Sequence, residues 1–74
     1  MENIYLIKDL SSASGQSTYT IKYYLKIGLL SEVGRSPETN FRYFDDTTLE
    51  KLRRIREMRS QRRSIKEIKE ELGN

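Results

Sequence analysis

Gln16-Ser17-Thr18-Tyr19-Thr20-Ile21-Lys22-Tyr23-Tyr24-Leu25-Lys26-Ile27-Gly28-Leu29-Leu30 is the stretch that decides how this chain folds. On a period of about 3.6 residues, Ile21, Tyr24 and Leu25 fall on one side of a helix. Lys22, Tyr23 and Lys26 lie on or beside the other side, with Tyr19 one turn earlier. One side can pack while the other meets phosphate. No acidic residue interrupts the stretch, so nothing in it repels a polyanion. Gly28 supplies the stop, after which Leu29 and Leu30 fold back over the apolar side.

Working outward, Ile7, Leu10 and Ala13 have helical spacing up to Gly15 and predict a first helix. Gly15 suits the left-handed residue of a tight interhelical turn, and Ser17 is a good N-cap for the second helix. Downstream, Glu32-Val33 and Phe41-Arg42-Tyr43-Phe44 are strand-like pieces around a polar tip that holds the only proline. Alternation along the second piece places Phe41 and Tyr43 on one packing face and Arg42 on the other. Thr47-Thr48-Leu49-Glu50 has the form of a capping box that opens a third helix. In that helix Leu49, Leu52, Ile55 and Met58 recur every third residue, with Arg56 and Arg59 at or within the apolar stripe. Those two arginines must snorkel, pair or meet an anion. Ser64-Ile65-Lys66-Glu67 is a second capping box, so a fourth helix is expected to bury Ile65, Ile68 and Leu72 before Gly73.

The fold expected is mainly α: a winged helix-turn-helix of four helices with a small β-hairpin wing. It forms a single domain over 1–74, with the helix-turn-helix at about 5–28, the wing at about 31–44 and the last two helices at about 46–72. A core this small should stabilise the fold by roughly 4 to 11 kcal/mol. With no cysteine and no histidine, the commonest zinc ligands and the usual general base are absent. No metal or cofactor is expected, and the chain should not be an enzyme. Asp45 and Asp46 sit where a helix N-terminus favours negative charge, which explains them without acid–base chemistry. The N-terminus has no basic region followed by an apolar signal core, so the expectation is a soluble, cytoplasmic, nucleoid-associated protein with no membrane partner. Net charge is only +3, but six arginines against one acid, Glu57, lie between Arg53 and Arg63. Arg53 to Glu57 and Arg63 to Glu67 are spaced to pair along the helix.

Thr20-Ile21-Lys22-Tyr23-Tyr24 with Ile27-Gly28-Leu29-Leu30 resembles the T-I-R-Y-Y-E-x-x-G-L-L signature of MerR-family regulators. Asn40-Phe41-Arg42-Tyr43-Phe44-Asp45 resembles that family's wing-to-helix segment. Leu52, Ile55 and Met58 with Ser64, Ile65 and Ile68 resemble its following helix pair. The resemblance covers almost the whole chain. It implies that the second helix enters the major groove of DNA while the wing grips flanking backbone. Lys22 replaces the signature arginine, exchanging a bidentate fork for a point charge, and Leu25 replaces the signature glutamate. Gln61-Arg62-Arg63 stands where the family commonly has glycine between two hydrophobic residues. Family members usually continue into a dimerisation helix and an effector domain, whereas this sequence stops at Glu71-Leu72-Gly73-Asn74. It is therefore expected to be an excised DNA-binding domain or to resemble the small stand-alone members.

The function expected is sequence-specific binding of double-stranded DNA in transcriptional regulation. Lys22, Lys26, Arg35 and Arg42 are the candidates for phosphates, while Thr18, Tyr19, Thr20 and Tyr23 are those for base edges, sugars or further phosphates. Arg53, Arg54 and Arg62 are weaker candidates for DNA or a protein partner. Self-association on DNA, as a dimer or head-to-tail on repeats, and contact with the transcription machinery also belong to this expectation. Two alternatives fit the same composition. One is an excisionase-like architectural accessory protein; the other is an interaction module whose basic surface meets an acidic partner.

Overall fold

The apolar positions singled out by helical period converge on one core, which holds Leu10, Ile21, Tyr24, Leu29, Leu30, Phe44, Leu49, Leu52, Ile55, Met58 and Ile68. In the computed structural model, which describes residues 3–73, the elements run α1 (Ile7–Ser14), α2 (Thr18–Lys26), β1 (Gly34–Arg35), β2 (Arg42–Tyr43), α3 (Asp46–Ser60) and α4 (Ile65–Glu71). Helix α1 packs on both α2 and α3. Strands β1 and β2 form an antiparallel pair in which Gly34 faces Tyr43 and Arg35 faces Arg42. The N-terminal segment joins them through Tyr5, whose N–H donates to the Phe44 carbonyl at 2.8 Å and whose carbonyl accepts from the Phe44 N–H at 2.7 Å. No helix among the described residues is long and apolar enough to cross a membrane.

The helix boundaries follow side-chain chemistry. Ser17 accepts from the Thr20 amide at 3.1 Å and opens α2 as expected. At α4, Ser64 accepts from the Glu67 amide at 3.1 Å while Glu67 accepts from the Ser64 amide at 2.9 Å, completing a reciprocal box. Helix α3 differs from the sequence expectation. Its cap is Asp45, which accepts from the Thr47 amide at 3.0 Å, so the helix begins ahead of the Thr47 box. A carboxylate at the positive end of the helix is a stronger acceptor than a hydroxyl, and Asp46 adds a second negative charge in the first turn.

Three other expectations need correction. Ala13 is exposed and Ser14 is buried instead, because a position four residues beyond Leu10 lies closer to its face than one three residues beyond. The strands are only two residues each, and Phe41 stands 61% exposed ahead of β2 rather than sharing a packed face with Tyr43. The chain is still leaving the turn there: Asn40 has φ 60°, so strand alternation has not begun. The expected pairs along α3 and into α4 do not form among the described residues. Arg63 pairs with Glu71, and Glu67 is occupied as a cap.

Arg62 takes a left-handed conformation, φ 63°, where the family pattern has glycine. The tight turn between α3 and α4 therefore survives the replacement at the expense of backbone strain. Arg62→Gly should stabilise the DNA-free protein by about 1 kcal/mol. That corresponds to a rise of roughly 4 to 8 °C in melting temperature, measured by circular dichroism.

Candidate nucleic-acid interface

Amphipathic periodicity sets which α2 residues face outward, and the structure sorts them clearly. Ile21 and Tyr24 are buried, while Lys22, Lys26 and Thr18 are exposed and Tyr19 and Tyr23 stand 80% and 45% exposed. The phenol of Tyr24 is held above its ordinary pKa chiefly by burial, and its ring lies 6.0 Å from that of Tyr23 in a tilted arrangement. Tyr24 thus anchors this part of α2 in the core while its ring stays in contact with the exposed ring of Tyr23. The Thr20 hydroxyl is half-buried and accepts from Ser17 Oγ at 2.9 Å, so part of its hydrogen-bonding capacity is spent on the cap.

The turn that aims α2 is held by reciprocal bonds to α3. Arg56 donates through Nη1 to the Ser14 carbonyl at 2.8 Å, and Gln16 Nε2 donates to the Leu52 carbonyl at 3.0 Å. Between them Gly15 has φ 75°, and a Cβ there would run into the Arg56 guanidinium. The left-handed conformation disfavours a side chain there, and any Cβ would also displace the guanidinium from its bond to Ser14. At the other end of α2, Lys69 Nζ donates to the Ile27 carbonyl at 3.2 Å.

The wing returns beside α2. A cleft of about 410 Å³ is lined by Leu6, Ile7 and Lys8 at the start of α1, Thr18 and Lys22 on α2, and Phe41 and Arg42 on the wing. Three of the expected residues, Thr18, Lys22 and Arg42, are thus brought together from two elements. Lys8, which sequence patterning does not single out, and Phe41, which it assigns to a packed face, join them. A lone lysine on α1 carries no sign that the fold will bring it to α2 and the wing. A second hollow, about 520 Å³, is lined by Leu25, Lys26, Leu30, Ser31, Glu32 and Arg42. Arg42 borders both.

Arg35 and Arg42 are not bare charges. Arg35 Nε donates to Glu32 Oε2 at 2.7 Å, and Arg42 Nε lies 3.2 Å from Glu32 Oε1. The hydrogen bond from Arg35 holds the Glu32 carboxyl below the usual glutamate range, and the same bond raises the Arg35 guanidinium. Arg53 and Arg54 stand exposed on α3 and Arg62 on its C-terminal turn; none of them lines either hollow.

Over residues 5–74 the chain matches the MerR HTH family regulatory protein pattern. It belongs to the MerR HTH family. An HTH-type transcriptional regulator CueR from Bacillus subtilis (strain 168) is 33% identical over 95% of this chain. A heavy metal-dependent transcription regulator from Rhizobium meliloti (strain 1021) is 38% identical over 90% of it. The chain spans about half the length of these relatives, 48% and 45%. They are transcription regulators, not enzymes. Among solved structures, a MerR-family transcriptional regulator from Bacillus cereus superposes with a TM-score of 0.89 over 97% of this chain and 53% of its own, at 22% identity. HiNmlR, a MerR-family regulator lacking the sensor domain and solved bound to promoter DNA, superposes with a TM-score of 0.83 at 32% identity, covering 92% of this chain and 51% of its own.

Within this MerR-family frame the replacement of the signature glutamate is explained by packing: Leu25 is half-buried against the core. Arg56 has a structural role that its place in an arginine-rich helix conceals. Arg56→Gln should lower stability by about 1 kcal/mol, a charged hydrogen bond discounted for exposure, as measured by urea denaturation.

Proposed function

We propose that this domain binds double-stranded DNA sequence-specifically as a transcription regulator, with α2 in the major groove and the wing on flanking backbone or minor groove. The observation that carries this reading is the cleft between α1, α2 and the wing, where Lys8, Lys22 and Arg42 surround an apolar floor. Cations from separate elements around one groove suit a sugar–phosphate strand, whose phosphates take the charges while a deoxyribose packs on Phe41 and Ile7. HiNmlR, similar over most of this chain, has been solved on promoter DNA, which supports the same docking here.

Lys22, Lys26 and Lys8 neutralise phosphates and fix orientation. Tyr19, Thr18 and Tyr23 project from α2 toward base edges and sugars, with Thr20 in a lesser role because Ser17 engages its hydroxyl. Few of these side chains read bases directly, so groove shape and deformability contribute to specificity. Self-association on DNA and contact with the transcription machinery extend the same reading.

Lys22→Ala should weaken binding to every duplex and reduce the slope of log affinity against log salt by about one. Fluorescence anisotropy over a salt series checks this, and an unchanged slope would remove Lys22 from the interface. On a duplex carrying several half-sites, gel shift should show a ladder of complexes if chains add head to tail. A single two-chain complex on an inverted repeat would instead establish a symmetric pair.

A further inference from the structure

Register places Arg35 directly opposite Arg42 on the two strands of the wing. Two guanidinium groups at facing positions repel, so this hairpin needs an anion between them. Glu32 supplies it. Its Oε2 accepts from Arg35 Nε at 2.7 Å, and its Oε1 lies 3.2 Å from Arg42 Nε and 3.5 Å from the Nη2 of Arg35. Both carboxylate oxygens are thus engaged by the two cations expected to reach phosphate. Glu32 also lines the hollow that holds Lys26 of α2, so its negative charge sits between the recognition helix and the wing. Of the three ion pairs among the described residues, two are on this one carboxylate.

A carboxylate and a phosphate offer guanidinium the same two-oxygen acceptor. We propose that Glu32 is an internal phosphate substitute that occupies the wing arginines in the DNA-free protein and sets the affinity threshold a duplex must exceed. The inference rests on the DNA-binding reading above. The side chains of Glu32, Arg35 and Arg42 remain 31%, 42% and 38% exposed, so a DNA phosphate can replace the carboxylate without opening the core. After replacement the glutamate's charge stays close to the backbone it has been displaced by and opposes binding. The wing therefore discriminates against weakly electronegative backbone, and DNA with a narrow, strongly negative minor groove exceeds the threshold most readily.

The test compares wild type with Glu32→Gln on an A·T-rich and a G·C-rich duplex, by anisotropy over a salt series, alongside thermal melts of the free proteins. Glu32→Gln should bind both duplexes several-fold more tightly, with a salt slope steeper by up to about one, while melting at a lower temperature because Arg35 and Arg42 then repel. Tighter binding with lower stability is a combination that a purely structural glutamate does not produce. Glu32→Ala provides the same comparison should the glutamine variant fail to fold. In an Arg35→Gln, Arg42→Gln background the gain from removing Glu32 should shrink to the relief of direct carboxylate–phosphate repulsion alone. Wild-type binding with equal or weaker binding by the variant would overturn the inference alone, as would a gain of undiminished size without the arginines. If neither protein binds duplex at low salt, the DNA-binding reading falls and this inference falls with it.

Discussion

Two hydrogen bonds join the helix-turn-helix corner to α3 and restrain the angle at which α2 leaves it. Arg56 reaches the Ser14 carbonyl and Gln16 reaches the Leu52 carbonyl, so the last turn of α1 and the start of the connection to α2 are both bonded to one helix. The Ser14 carbonyl ends α1, so there the Arg56 cation also meets the negative end of a helix dipole. Lys69 does the same for the end of α2. A domain with so few buried side chains cannot hold an exposed helix rigidly by packing alone. Long polar side chains fixed at the helix ends add the angular restraint that a small apolar contact lacks.

That restraint changes what the basic composition means. Arg56, Arg59 and Lys69 donate to carbonyls of this chain, and Arg63 pairs with Glu71. Much of the arginine-rich run is therefore structural. The cations around the candidate interface come from elsewhere: Lys22 and Lys26 on α2, Lys8 on α1, and the wing arginines over Glu32. Fields of this kind depend on placement more than on net charge, which explains how a chain of only +3 can present a cationic groove.

Much of the architecture was legible in the residues. The order of helices, the glycine stops at Gly15 and Gly28, the Ser17 and Ser64 caps and the apolar stripe from Leu49 to Met58 all rest on local rules, and the structure bears them out. The errors lie where local rules compete. The hydroxyl of Thr47 lost the cap to the carboxylate of Asp45, and Phe41 lost its packed place because the turn still governs its backbone. The salt bridges expected at helical spacing gave way to a longer-range partner for Arg63 and to a cap for Glu67. Exposed ion pairs differ little in energy, so small differences in geometry choose among them.

By itself the chain's order of apolar, capping and turn residues determined four helices, a hairpin and the outward side of α2, because helical period and end chemistry act over a few neighbours. Only the tertiary structure decided that Lys8 and Phe41 share a cleft with Lys22, that Arg56 belongs to the α1 corner, and that Glu32 sits between Arg35 and Arg42. Those relations join residues on different elements or depend on the register of the hairpin. A charged side chain looks the same in sequence whether its partner is solvent, a carbonyl or another ion, and the partner is set by how the core brings the elements together.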